Sequence, residues 1–468
     1  MDRREEQYDL VCIGSGPAGQ RAAVQAAKLG KRAAVVEKSR IVGGVCIDTG
    51  TIPSKTFREA VLSFTGFHLG FGRFHGSRGL PPVPTASELL ARVTQVIERE
   101  AEIVERQLRR NGVRLLRGTA RFEDPHTIHV ESETGPVRLR AEKIVIAVGT
   151  RPAPIPEVGG NGRTVFTSEE IIRIAEIPRR MAVVGAGVVG MEYASMFGAL
   201  GTEVTLIDQR RRPLEFLDAE IVDELIHQMR DANVFFRLGE RVESIAIEDE
   251  DRHRAVLTLA SGKRVVSDLV LYSVGRIGAT DGLDVEAAGL EPNERGRLDV
   301  NEIYRTKVPH IFAAGDVIGF PSLAATSSEQ GRIAACHAFD YPIQPMKEHF
   351  PVGIYAIPEV SMVGEPEGSL TERSIPYEVG MARYREIARG QILQGDSGML
   401  KMLFHREDRR LLGVHAIGTG ATELIHVGQA VLAMGGGLDY FLETVFNYPT
   451  LAECYKVAAL DAANRLAR

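Results

Sequence analysis

Short unbroken apolar runs, each ending at glycines, set the pattern of this chain. Residues 8–13, apolar without a break from Leu10 to Ile13, predict a buried strand. A glycine turn follows, then a small-residue helix reaching Gly30, then a second apolar run, Ala33–Glu37, closed by an acid. Runs without polar alternation suit strands covered on both faces, as in parallel sheets with helical crossovers. A second glycine-bearing turn and helix occupy residues 43–55. Residues 64–84, rich in Gly, Phe and Pro, predict a loop. Residues 86–111 have helical periodicity with a charged face and a stop at Asn111-Gly112. Residues 143–148 predict a strand that ends at Gly149. The first grammar then repeats: a strand over 181–184, a glycine turn over 185–190, a helix over 191–200 and a strand over 204–208. Residues 310–316 predict a further strand with a terminal acid. Beyond residue 348 the texture changes to strand-like runs, at 400–404 and Leu411–Ile417, followed by helical segments toward Arg468.

Length changes this picture little: 468 residues suit three domains at about 150 residues each. Hydrophobic residues at 44% and charged residues at 25% are the profile of a soluble globular protein. A net charge of -6 gives no basic footprint for nucleic acid and no polybasic patch for membranes. No apolar run approaches the length of about 20 residues needed to span a bilayer. Residues 1–8 are charged and lack a signal peptide's apolar core, so a cytoplasmic protein is expected. Cys12, Cys46, Cys336 and Cys454 lie far apart without metal-ligand spacing, so neither a metal site nor a disulfide framework is expected.

The chemistry starts at Gly14-Ser15-Gly16-Pro17-Ala18-Gly19, directly after a strand, with Glu37 ending the next strand and Lys38 following it. Gly14 permits the tight turn, Gly16 lets backbone approach a pyrophosphate, and Gly19 lets helix and strand pack closely. The helix N-terminus then faces phosphate, and the acid can accept hydrogen bonds from ribose hydroxyls. The second constellation, Gly185-Ala186-Gly187-Val188-Val189-Gly190 with Asp208, follows the same physics. Asp208 favours a free 2′-hydroxyl, as in NAD, whereas Arg210, Arg211 and Arg212 are either a solvated loop or a site for a 2′-phosphate, as in NADP. A third signal is residues 306–316, a buried strand that delivers Gly315-Asp316.

These three motifs, with residues 43–55, resemble the pyridine nucleotide–disulfide oxidoreductase family over nearly the whole chain and in the family's order. The resemblance implies an α/β protein with two Rossmann-like domains and a C-terminal α+β dimerisation domain. Its boundaries would be 1–153 and 276–347 for FAD, 154–275 for NAD(P), and 348–468 for dimerisation, with a homodimer or higher homo-oligomer as the assembly. It assigns Glu37 to the adenosine ribose of FAD and Asp316 to the ribitol. It counts Lys38, Gly43, Gly44, Val45, Cys46 and Gly149 among the cofactor contacts, together with the backbone at Leu323 and Ala324. Ala325 stands where a histidine is common. Gly275, with Arg276, resembles a nucleotide-contacting turn. Lys55 and Glu192 are implied to pair beside the flavin, where a lysine would stabilise negative charge developing on the ring. His415 and His426 read as packed or surface histidines.

Two departures redirect the function. The family's disulfide reductases carry two cysteines five positions apart, but here Cys46 is followed by Thr51, whose hydroxyl cannot form a disulfide. Near the C-terminus Tyr448 stands where those reductases place a histidine, before Pro449 and Glu453. Phenols titrate near 10 and imidazoles near about 6.5, so tyrosine is a poor proton shuttle for a thiol at neutral pH. Without sulfur, two hydride sites remain, flavin N5 and nicotinamide C4. The expected reaction is transhydrogenation between NAD(H) and NADP(H) through one nucleotide site used twice. An NAD(P)H:quinone or dye reductase, and a flavin-binding subunit without turnover, are the alternatives.

Overall fold

The computed structural model describes residues 4–66, 84–155, 161–249, 254–393 and 397–467. The chain divides into two compact units, one of residues 1–56, 90–153 and 275–347, the other of residues 57–89, 154–274 and 348–468.

In the first unit, five parallel strands lie in the order Arg114–Arg117, Ala33–Glu37, Arg4–Ile13, Val137–Ile146, Ile311–Ala313. This is the doubly wound order in which the chain's first strand is central. Side chains alternate between the sheet's faces, and both faces are buried. Leu10, Cys12, Val35 and Val145 join a core with the helix Pro17–Lys28, while Val11, Ile13, Val36, Ile144 and Ile146 join a second core. The unbroken apolar runs are the sequence's record of this double burial. The long strand Val137–Ile146 also pairs antiparallel with Thr127–Glu131, which pairs with Thr119–Asp124. The helix Pro17–Lys28 presents Ala18, Ala22, Ala23 and Ala26 inward and packs against the helix Ala324–Ala338. Small residues set that distance: a Cβ added at Gly331 would lie 2.0 Å from the carbonyl oxygen of Ala18.

The second unit repeats the parallel design, in the order Val234–Leu238, Glu203–Asp208, Arg180–Val184, Leu269–Tyr272, Val165–Thr167. A three-stranded antiparallel sheet, Val242–Asp249, Arg254–Leu259 and Arg264–Ser267, accompanies it. A five-stranded antiparallel sheet runs Val352–Ile354, Val360–Gly364, Leu411–Ile417, Met399–His405, Tyr377–Arg383. The helices Ala421–Ala433 and Glu453–Leu466 pack on it around Tyr384, Phe404, Phe441 and Tyr455. His415 is buried in this unit, whereas His426 is exposed beside Gln429.

Most of the expected elements recur with shifted ends. The first strand begins at Arg4, and the second glycine-turn helix spans Val188–Ala199, starting directly after Gly187. The strand expected over 310–316 is confined to Ile311–Ala313, and Asp316 instead opens a short 3-10 turn, Asp316–Ile318. Gly315, at φ +84°, ends the extended run and sends the chain into that turn. The antiparallel strands of residues 119–131 and 242–267 had no separate expectation. The loop expected over 64–84 lies mostly outside the described residues; of it, residues 64–65 are the end of the helix Thr51–Thr65. Among the described residues no helix is long and apolar enough to cross a membrane.

The Gly331 contact is testable by thermal unfolding. Gly331→Ala drives a methyl into backbone and should cost about 1–3 kcal/mol, the range of core overpacking. Gly368→Ala, in the helix Glu367–Glu372 where an added Cβ meets nothing within 4 Å, should be neutral or stabilising by up to about 1 kcal/mol. Equal Tm for both variants would refute the packing account.

Candidate functional site

The three glycines of the first turn act differently, as their surroundings show. Gly14, at φ +102°, has no room for a Cβ, which would lie 2.4 Å from the Ala147 carbonyl oxygen. At Gly19 a Cβ would lie 2.0 Å from the carbonyl oxygen of Gly14. Gly16 differs: a Cβ there meets nothing within 4 Å. Its open side lies at the N-terminus of Pro17–Lys28, whose first turn holds no acid. That is a space an anion can approach, with helix N–H groups and dipole behind it. The second turn repeats this division. A Cβ at Gly190 would lie 1.8 Å from the Gly185 carbonyl oxygen, one at Gly185 2.7 Å from that of Ser273, and one at Gly187 would meet nothing within 4 Å. Both cradles therefore fit a dinucleotide pyrophosphate.

Each turn is closed by its acid. Buried Glu37 accepts hydrogen bonds from Ser15 N (3.0 Å), Ser15 Oγ (2.6 Å) and Ser39 N (2.7 Å). Ser15 Oγ in turn accepts from Gly43 N at 2.8 Å, so one hydroxyl ties the first turn, the acid and the next glycine pair together. A Cβ on Gly44 would come 2.9 Å from Gly16 Cα, which sets the second glycine pair against the first turn. Lys38 points to solvent. Sequence reading missed Ser15, which occupies a variable place in the glycine pattern; its only signal was a hydroxyl between two glycines.

In the second turn Asp208 accepts from Ala186 N at 2.6 Å and is gripped by Arg210, through Nε at 3.0 Å and Nη2 at 2.7 Å. Burial pushes the Asp208 carboxyl upward, but the Arg210 hydrogen bonds outweigh it and leave the group below its ordinary value. The three arginines thus separate. Arg210 pairs with Asp208, Arg212 pairs with Asp223 and the carbonyl of Ala219, and Arg211 is exposed.

Asp316 lies in the first unit with Gly14 and Glu37. A Cβ on the preceding Gly315 would lie 3.2 Å from Ala18 Cβ, on the helix that follows the first glycine turn. Thr150 Oγ1 donates to Asp316 at 3.4 Å, and Arg276 donates to Thr150 Oγ1 and to its carbonyl, both at 2.8 Å. Burial raises the Asp316 carboxyl, with Arg276, Thr150, Arg297 and Ser327 opposing. Gly149, at φ +66°, and Gly275, at φ +104°, flank the paired strands Thr150–Pro152 and Arg276–Gly278. Gly275 falls in the first unit, one residue past the stretch 154–274 that carries the second turn. Leu323 caps the helix Ala324–Ala338, and Ala325 is exposed. Arg276, Thr150 and Arg297 were not legible as neighbours of Asp316, because they come from distant segments.

Gly44 precedes the short helix Val45–Asp48, which carries Cys46, and the helix Thr51–Thr65 begins at Thr51. Burial pushes the Cys46 thiol up, partly offset by its hydrogen bond with the Thr51 side chain and by the positive charge of Lys55, while Asp316 adds to the rise. Lys55 Nζ donates to Ser54 Oγ at 3.3 Å. Lys55 belongs to the first unit and Glu192 to the second, where Glu192 is buried and accepts from Tyr355 N at 2.9 Å. Tyr448 is 67% exposed.

Comparison with known proteins agrees with this geometry. The family model described as pyridine nucleotide-disulphide oxidoreductase matches residues 8–331, and the model of that family's dimerisation domain matches residues 350–459. A curated relative named soluble pyridine nucleotide transhydrogenase, from Mycobacterium bovis, is 52% identical over 98% of each chain. One of the same name from Hahella chejuensis is 45% identical over 99% of each. Among solved structures, the HOCl-induced flavoprotein disulfide reductase RclA from Escherichia coli superposes with a TM-score of 0.86 at 26% identity, covering 97% of this chain and 99% of that one. LpdA from Mycobacterium tuberculosis shares the fold, with a TM-score of 0.87 at 24% identity over 98% and 99% of the two chains. Two glycine cradles in series, each closed by an acid, and matches along almost the full length carry one conclusion: the chain belongs to the pyridine nucleotide-disulphide oxidoreductase family.

Proposed function

We propose that this chain is an FAD-dependent NAD(P)+ transhydrogenase, catalysing NADPH + NAD+ ⇌ NADP+ + NADH as a cytoplasmic homodimer. The observation that carries the reading is Thr51 five positions after Cys46, a hydroxyl where dithiol chemistry needs a second sulfur. The relatives named soluble pyridine nucleotide transhydrogenase, at 45–52% identity, support it. Bound flavin supplies a centre that takes a hydride from one nicotinamide and returns it to another.

The chain's own residues would bind and orient. The open side of Gly16 and the N-terminus of Pro17–Lys28 would hold the FAD pyrophosphate, with Glu37 at the ribose and Asp316 at the ribitol. Gly43, Gly44, Val45, Cys46 and Lys38 would line the same cofactor, as would Gly149 and the backbone of Leu323 and Ala324. Gly187 and the N-terminus of Val188–Ala199 would hold the nicotinamide nucleotide, Asp208 its adenosine ribose, and Gly275 would contact it from the turn before Arg276. Lys55 and Glu192 would set the charge beside the flavin. Net transfer moves a hydride without a proton, so the reaction needs no imidazole at position 448. Arg210 makes Asp208 compatible with both coenzymes: it neutralises the carboxylate that would repel a 2′-phosphate and, with exposed Arg211, offers guanidinium groups to one. The C-terminal unit segment matched by the dimerisation-domain model supports the homodimer.

Purified flavoprotein given NADPH and thio-NAD+ without quinone should form thio-NADH with ping-pong kinetics. Reduction of quinone alone, with no exchange between nucleotides, would refute the proposal. Asp208→Ala should weaken NAD(H) by about tenfold, about 1.4 kcal/mol, and NADP(H) by less, because Arg210 is then freed for phosphate. Equal losses in titrations with both nucleotides would remove Asp208 from the ribose. Thr51→Cys should leave lipoamide and glutathione disulfide reduction at background, since Tyr448 still provides no proton shuttle. Measurable disulfide turnover by that single variant would overturn the role given to position 448.

A further inference from the structure

Lys401 lies on the strand Met399–His405 and is 0% exposed, which is rare for a lysine. Its Nζ donates to Asp218 Oδ1 at 3.0 Å, to Glu220 Oε2 at 2.6 Å and to Glu367 Oε2. These three carboxylates present oxygens within 4.8 Å of one another, the arrangement that would suit a metal ion, and the ammonium sits bonded to all three. His415, paired with Lys401 across the sheet, is buried beside the cluster and bonds through Nε2 to the Glu365 carbonyl oxygen at 3.0 Å. Burial alone would push the ammonium toward neutrality, but the hydrogen bonds to Glu220, Glu367 and Asp218 outweigh it and raise its pKa.

A buried ion cluster is a poor way to gain stability, because desolvation consumes most of the Coulomb attraction. What it does well is fix geometry. Asp218 is the N-cap of the helix Ala219–Asp231: its Oδ1 accepts from Glu220 N at 3.2 Å, and its Oδ2 accepts from Glu367 N at 3.3 Å. The first turn of that helix holds Arg212, whose Nη2 donates to the Ala219 carbonyl oxygen at 3.0 Å and to Asp223. Arg212 belongs to residues 209–217, the connection from Asp208 to the helix cap. Leu214 and Leu217 anchor this connection inside, and Arg210 and Arg211 ride on its exposed side.

We infer that Lys401 is a positioning residue for coenzyme binding: its ammonium holds Asp218, the capped helix holds Arg212, and Arg212 sets the loop that presents Asp208 and Arg210 to the adenosine ribose. The inference rests on the nucleotide role proposed for Asp208. It adds that affinity for both coenzymes depends on a lysine from the antiparallel sheet that meets neither of them.

The test uses flavin-loaded full-length protein and four forms: wild type, Arg212→Gln, a neutralised cluster (Lys401→Met with Asp218→Asn and Glu367→Gln), and the combination. The neutralised cluster avoids the uncompensated buried carboxylates that Lys401→Met alone would leave. Arg212→Gln cuts the tether at its exposed end, so it stays informative if the cluster variant does not fold. Both single forms should raise KM and Kd for NADH and NADPH by about tenfold, with kcat at saturation within about twofold of wild type. The combination should show little further loss, because both changes break one chain of contacts. Wild-type KM and Kd in Arg212→Gln, or additive losses in the combination, would overturn the inference. If wild type itself binds neither nucleotide, the proposed function fails instead.

Discussion

The approach of helix backbone to strand backbone at the two glycine turns governs everything else. At Gly19 and Gly190 the space left for a Cβ is 2.0 Å and 1.8 Å from a carbonyl oxygen, so any side chain there would push helix from strand. Held close, each helix aims its N-terminus at the gap beside Gly16 or Gly187, where the peptide N–H groups meet no protein oxygen of their own helix. The site is therefore built first as a backbone feature. Side chains such as Glu37 and Asp208 then close it from the neighbouring strand.

The two cradles are alike in backbone and different in charge. Glu37 takes its hydrogen bonds from neutral donors, the amides of Ser15 and Ser39 and the Ser15 hydroxyl. Asp208 is matched by a guanidinium. A carboxylate paired with an arginine sets acceptor oxygens and guanidinium N–H donors side by side.

The chemistry at Cys46 shows how little a fold commits a protein to one reaction. Cys46 sits on the helix Val45–Asp48 and Thr51 opens the helix Thr51–Thr65, and the hydroxyl at position 51 is enough to remove the redox disulfide without altering either helix. Burial that raises the Cys46 thiol disfavours its thiolate, the form that would react.

By itself the sequence determined what depends on local sterics and periodicity. Unbroken apolar runs gave strands buried on both faces, glycine spacing gave the turns at Gly14 and Gly185, and Thr51 excluded the redox pair. Such features need only neighbours along the chain, so their residues carry the signal. Tertiary structure alone decided other side-chain partnerships: Ser15 as the link between Glu37 and Gly43, Thr150 and Arg276 beside Asp316, and Lys401 on Asp218 across 183 positions. A run of arginines has the same pattern whether paired or solvated, and a buried lysine has the same letter as an exposed one. For the lysine, which it becomes depends on the desolvation and the opposite charges that packing brings to it, and Asp218 and Glu220 come from a segment about 180 positions away.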